Sequence, residues 1–365
     1  MAGLQHRLRE VARLGELVGA VAGVTVAGRR ELAAVGYADQ QAGRLMTPET
    51  PVHVASLTKP VVATAAVAAF RRAGIGLDEP LVNLMPHLSA VWRSSRWVTL
   101  RHVLSHTSGL RPDLPEDERP LADAAADPVR DAAERTVGSA QVFRPGAAWQ
   151  YCNSGYGLAG YALGLLAGTS FERALGDELL RPFGMNFTAF DAGSLVACGH
   201  SGGRPIRDTY WRARRPGGGL ISTVGDLLAF AEHLFDDAEI LTETGRPVSP
   251  SLLASTYALG WNVSHRGLVR WHDGDWGGFH AQLLVHPQRR FAAVVVINDD
   301  AGVRSRNGFG WNELRSASGL RRPRFAPPFL YARAAMRTAA ARLTRSRASS
   351  WRRLALVRRD PPSGG

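Results

Sequence analysis

The chain is almost without lysine. Of its 44 basic side chains, Lys59 alone is a lysine and the other 43 are arginine. A coding bias toward arginine explains that background wherever charge alone is needed. Arginine holds its proton near neutral pH, whereas a partly buried lysine can lose it. A lysine retained alone therefore marks a position that needs an amine able to cycle its proton; the plainer alternative is a chance surviving surface lysine. Cysteine is scarce too. Cys152 and Cys198 have no metal-ligand spacing and demand no disulfide. No apolar run approaches the length of a membrane span. The short run Leu17–Ala27 lies between Glu10 and Glu16 on one side and Arg29 and Arg30 on the other, which fits a buried strand before a hairpin better than a secretory leader. The chain accordingly reads as cytoplasmic.

Excess charge is absent from most of the chain. Residues 1–314 carry 31 basic and 31 acidic side chains, and the net charge of +12 falls in residues 315–365, where 13 arginines face Asp360 alone. This excludes reading the high pI as a nucleic-acid-binding fold and assigns it to a basic appendage.

An amphipathic helix is expected over residues 4–16, then strands near Val18–Val26 and Glu31–Tyr37 with Gly28 at the turn. The next segment, Ser56–Arg72, is apolar nearly all round, the mark of a helix buried on every side. Pro60 suits its first turn, where the missing N–H costs nothing. Helical segments and Pro- and Gly-rich loops follow to Gly219, an amphipathic helix begins near Thr223, and strands return at Leu259–Ser264, Gly267–His272, Phe279–His286 and Arg290–Asn298. The expected fold is α/β (α+β): an antiparallel sheet of about five strands flanked by helices, with an inserted helical domain. Residues 1–80 and 220–314 would form the discontinuous sheet domain, 81–219 the inserted helical domain, and 315–365 the basic tail, in which 328–345 is a helix suited to packing on the sheet.

Ser56-Leu57-Thr58-Lys59 puts a hydroxyl and an amine three residues apart, side by side on one helix face. The positive potential of a helix N-terminus stabilises an alkoxide and eases loss of the lysine proton, and burial acts in the same direction. Ser-x-x-Lys by itself recurs widely. Further blocks accompany it: Val54-Ala55-Ser56-Leu57-Thr58-Lys59-Pro60, then Thr99-Leu100-Arg101-His102-Val103-Leu104-Ser105-His106-Thr107-Ser108-Gly109-Leu110, Tyr151-Cys152-Asn153-Ser154-Gly155-Tyr156, Gly217-Gly218-Gly219-Leu220-Ile221-Ser222-Thr223 and His272-Asp273-Gly274. In these blocks and their order the sequence resembles the class C β-lactamase, D,D-peptidase and esterase family, over roughly residues 17–300.

The resemblance implies a β-lactamase/transpeptidase-like fold and a Ser56 nucleophile activated by Lys59 and Tyr151. It implies that Asn153 binds the acyl amide side of a substrate and that His272 and Gly274 stand on the sheet edge, where other members often carry Lys-Thr-Gly. The N–H groups of Ser56 and Asp275 would form the oxyanion hole. Each residue also has a bland reading: Tyr151 as a core tyrosine, Asn153 as a turn cap, His272 as a solvent-facing strand end. Asp275 departs from the family pattern, because a carboxylate beside an oxyanion repels it unless the side chain turns away.

Two other patterns are set aside. Gly155–Gly160 matches G-x-G-x-x-G but follows no convincing strand. His102 and His106 have metal-ligand spacing without the accompanying glutamate, so neither metal nor cofactor is expected. The expected activity is that of a serine hydrolase acting through a Ser56 acyl-enzyme on a small ester or amide, with an apolar wall from Trp271, Trp276 and Phe279. β-Lactamase or D-alanyl-D-alanine carboxypeptidase activity is the alternative, and a non-catalytic ligand sensor is the alternative of another class. Beyond a small-molecule substrate, the one partner suggested is an anionic membrane surface, touched weakly by the basic tail; solvated disorder is the plainer reading of that segment. Because the amine must give up its proton, Lys59→Arg is expected to be nearly as inactive as Lys59→Ala, each losing at least about a thousandfold in turnover. Steady-state turnover of the two variants checks this, and an arginine variant keeping more than about a tenth of activity would show that charge rather than basicity matters.

Overall fold

An apolar strand meeting a left-handed turn starts the sheet. β1 (Gly19–Val26) is buried except at its last residue and turns through Ala27 and Gly28, both at positive φ, into β2 (Arg29–Asp39). Positive φ at both turn positions matches the right-handed twist of the flanking strands. This is a computed structural model, and it describes residues 3–318 except 192, 207–208, 250–254 and 265–266.

The other sheet strands are β3 (Arg44–Leu45), β4 (Ser255–Tyr257), β5 (Asn262–Ser264), β6 (Arg270–Trp276), β7 (Phe279–His286) and β8 (Phe291–Ile297). They order as β3-β2-β1-β8-β7-β6-β5-β4, antiparallel throughout, so the N-terminal hairpin closes against strands from the far end of the chain. The expected antiparallel sheet is present. Five strands are long, and β3, β4 and β5, of two or three residues each, extend it to eight. β7 and β8 are buried along their whole length, because helices cover both faces.

The inner face of the sheet carries Val21, Leu283 and Val294 into a core shared with α2 (Thr58–Arg72), α3 (Leu100–Leu104), α4 (Asn153–Ala167) and α5 (Val224–Asp236). Twelve of the fifteen residues of α2 are buried, which explains its all-round apolar sequence. In the false dinucleotide pattern Gly160 serves packing, since a Cβ there would collide with Pro216. On the outer face, Ala22, Leu284 and Val295 pack against α1 (Leu4–Gly15) and α6 (Val303–Ser318) through Leu4, Leu8, Phe309 and Trp311. The C-terminal helix on the sheet is thus α6; the helix expected at 328–345 lies outside the described residues. No helix among the described residues is long and apolar enough to cross a membrane.

A two-pronged ion pair ties the outer helices together: Arg7 Nε and Nη2 donate to the Glu313 carboxylate at 2.8 and 2.7 Å, and Glu313 is buried. Glu313→Ala is expected to lower the unfolding free energy by about 1–2 kcal/mol, read as a shifted urea midpoint with unchanged slope.

Candidate active site

Ser56 sits in a single 3-10 turn, Ala55–Leu57, that runs directly into α2. Ala55 is held in the left-handed region at φ 46°, a strained state for a residue with a Cβ. Hydrogen bonds from outside fix the turn. Thr58 Oγ1 donates to Ala55 O at 2.7 Å and accepts the Leu220 N–H at 3.1 Å, while the Val54 N–H donates to Leu220 O at 3.1 Å. Strand β6 presses on it from the other side: a Cβ on Gly274 would collide with Val54 O and stand 3.2 Å from Ser56 N.

Lys59 lies one turn along, fully buried. Its Nζ donates to Ser56 Oγ at 2.9 Å and to Gly217 O, and stands 4.8 Å from the centre of the Tyr151 ring. No carboxylate forms an ion pair with it among the described residues. Burial, helped by the nearby Arg214 charge, pushes its pKa down to about 7. The Tyr151 hydroxyl donates to Ser56 Oγ at 2.9 Å, so amine and phenol converge on one oxygen from residues 92 positions apart in sequence. The Tyr151 hydroxyl thus points at Ser56 rather than into the core.

Asn153 is the first residue of α4, and Cys152 caps that helix by accepting the Gly155 N–H on Sγ at 3.2 Å. Asn153 Nδ2 donates to Asp113 Oδ2 at 3.2 Å, and the same oxygen accepts from Arg214 Nη2 at 2.6 Å. Gly274 and Asn153 therefore both border the Ser56–Lys59 pair, the latter through Gly217.

His272 differs from its expected place. It lies inside β6, not at the strand's end, and is 1% exposed. Its Nε2 pairs with the Tyr257 hydroxyl at 2.9 Å and its Nδ1 with Asp273 O at 2.7 Å. Burial pushes its pKa down to about 3, so the ring is neutral at any physiological pH. Asp275 faces the opposite side of the sheet from Gly274, as strand alternation requires. Its carboxylate accepts from His280 Nδ1 at 2.6 Å and from Arg306 of α6. The side chain has turned away from Ser56. Trp271 also faces outward, against Trp311, and is not part of a wall at the site.

Two neighbours, His53 and Tyr210, were not singled out from the sequence. His53, Trp276, Tyr210 and Phe279 form one aromatic cluster: Trp276 lies 4.8 Å from His53 and 5.2 Å from Tyr210, and Phe279 lies 5.4 Å from His53. Tyr210 packs where a Gly218 side chain would be, which ties the cluster to the Gly217–Gly219 segment. His106, at φ 63°, is buried against the Tyr151 ring at 4.3 Å and accepts the Cys152 N–H on Nδ1 at 3.1 Å. His102 instead bonds Thr99 Oγ1 at 2.9 Å as a helix cap, so the two histidines do not converge. Among the described residues no cluster of His, Cys, Asp and Glu is arranged to hold a metal.

The family model described as Beta-lactamase matches residues 7–313. The chain belongs to the β-lactamase family. It is 26% identical over 363 residues to "Penicillin-binding protein 4" of Amycolatopsis lactamdurans, covering 89% of this chain and 92% of that protein. It is 36% identical over 185 residues to "Esterase EstB" of Burkholderia gladioli, covering 47% of this chain and 44% of that one. A solved structure described as "A class C beta-lactamase" shares the fold with a TM-score of 0.75 at 22% identity, covering 87% of this chain and 96% of that chain. This β-lactamase-family member is a serine hydrolase.

A lysine whose pKa is depressed to about 7 is a free base above that pH and an ammonium below it. Ester turnover, as kcat/KM, is therefore expected to rise about tenfold per pH unit below 7 and to level off above it. A profile from pH 5 to 9, corrected for spontaneous hydrolysis, checks this; a flat profile contradicts it.

Proposed function

We propose that the chain hydrolyses small neutral esters through a covalent Ser56 acyl-enzyme. The observation that carries this reading is the convergence of Lys59 Nζ and the Tyr151 hydroxyl on Ser56 Oγ, both at 2.9 Å. In its neutral form the Lys59 amine accepts the Ser56 proton as Oγ bonds to the ester carbonyl carbon. The carbonyl oxygen becomes an oxyanion facing the Ser56 and Asp275 N–H groups. Tyr151 gives its proton to the departing alkoxide and recovers one from the Lys59 ammonium. Water then attacks the acyl-enzyme by the same path in reverse, releasing the acid and restoring the Ser56 hydroxyl. Asn153 would hold the acyl side.

The charge pattern favours a neutral substrate. β-Lactams and D-alanyl peptides carry a carboxylate next to the scissile amide, and the sheet edge offers it a neutral, buried His272. The nearby arginines are already engaged, Arg214 with Asp113 and Arg306 with Asp275. Trp276, partly exposed and backed by the buried Phe279, supplies apolar surface. The Burkholderia gladioli relative is named an esterase, in line with this choice. The Amycolatopsis lactamdurans relative, similar over most of both chains, keeps a penicillin-binding activity as the second reading. Engagement of Ser56 by two proton-carrying groups argues against a non-catalytic sensor.

Intact-mass analysis after incubation with a fluorophosphonate, a penicillin and an activated ester tests the mechanism. A single fluorophosphonate adduct is expected on the native chain and none on Ser56→Ala, which should also lose turnover; full labelling of that variant would refute the assignment. For substrate choice, kcat/KM for a short p-nitrophenyl ester should exceed that for a chromogenic cephalosporin and a D-alanyl-D-alanine peptide, each divided by its uncatalysed rate. A cephalosporin or peptide that still leads would replace the esterase reading.

A further inference from the structure

We propose that Arg306 is a positioning residue of the oxyanion hole: from the outer face of the sheet it grips the Gly274 carbonyl and so aims and polarises the Asp275 N–H toward Ser56. This rests on the reading of the Asp275 N–H as an oxyanion donor.

Arg306 comes from α6, on the side of the sheet away from the nucleophile, and is 3% exposed. Its Nη1 donates to Gly274 O at 3.3 Å and to the Asp275 carboxylate, and its Nε donates to Asn307 Oδ1 at 3.0 Å. The Gly274 carbonyl and the Asp275 N–H belong to one planar trans peptide, in which the two point in opposite directions. A guanidinium on the carbonyl therefore directs the N–H away from α6. A charge-assisted hydrogen bond to the oxygen also polarises the whole peptide and strengthens its N–H as a donor.

The strand needs such a hold. Among the described residues β5 pairs with β6 only at Arg270 and Trp271, so the Gly274–Asp275 peptide has ladder partners on the β7 side alone. On the inner face Gly274 is already pressed against the Ser56 turn with no room for a Cβ, so a small shift of this peptide changes the donor geometry at once. The departure of Asp275 from the family pattern then has a physical reason. Its carboxylate balances a buried guanidinium, with His280 on the same oxygen, and lies on the face where it does not meet the oxyanion.

The test compares an ester with the matching thionoester, whose sulfur is a poor hydrogen-bond acceptor and gains little from an oxyanion hole. In the native enzyme the ester-to-thionoester ratio of kcat/KM should exceed the ratio for hydroxide hydrolysis by about a hundredfold. In Arg306→Met that ratio is expected to fall about tenfold, through loss of ester turnover with thionoester turnover nearly kept. Arg306→Met/Asp275→Asn also removes the carboxylate left unpaired, so it carries the same measurement should the single variant fail to fold. A native-like ratio in the variants, with both turnovers and the melting temperature falling together, would reduce Arg306 to a structural role and overturn the proposal. A native ratio no larger than that in solution would instead refute the oxyanion reading on which the proposal stands.

Discussion

A primary amine buried with no carboxylate paired to it among the described residues is the constraint on which the rest of the site depends. Lys59 has no exposed surface, and its partners are a carbonyl, a hydroxyl and two tyrosine ring faces. A paired carboxylate would hold the proton in place and raise the pKa. Asp113, whose charge acts on Lys59 in that direction, is bound to Arg214 instead, and Arg214 acts the other way. The arrangement works against the folded state. Between about pH 7 and the ordinary lysine value of 10.5 the unfolded chain binds more protons than the folded one, so this group makes stability rise with pH across that window. The buried walls of α2 and α4 are what keep the amine dry.

The second constraint is steric. The left-handed Ala55 lifts Ser56 out of the regular path of α2, and the turn is held from below by Thr58 and Leu220 and from the side by Gly274. Each support comes from a different part of the sequence. The Ser56 turn therefore forms only when α2, the Gly217–Leu220 segment and the C-terminal strands have come together.

Legibility in the sequence followed the range of the interactions. Ser56 and Lys59 share one helix face, and a lone lysine among arginines singles that face out. β1, β7 and β8 could be read because buried strands between turn residues are local patterns, and β2 follows β1 across the Ala27–Gly28 turn. The sequence pattern ends this strand at His272, because no apolar run continues to the real end of β6, which Trp276 and the Gly277–Gly278 turn set. The outward face of Trp271 was available in principle: if Gly274 faces Ser56, residues at odd positions of the strand must face away. Helix α6 escaped because Gly308 and Gly310 weaken its helical signal, by about 1 kcal/mol each. Gly310 is there for close approach, since a Cβ would stand 2.6 Å from Gln282 Oε1. The partnerships of Arg306 and Arg214 join residues that are distant in sequence, and nothing local announces them.

Matched pairing of the arginines around Ser56 has a kinetic consequence above about pH 7, where Lys59 is a free base. Arg214 is offset by Asp113 and Arg306 by Asp275, and His272 carries no charge. A cleft so balanced projects little long-range field, and a neutral ligand arriving at it would feel none in any case. Encounter then proceeds by unsteered diffusion, and added salt, which screens fields over a Debye length of about 10 Å at 0.1 M, has nothing to attenuate. Ionic strength can vary widely around such a cleft without changing how often a neutral ligand arrives.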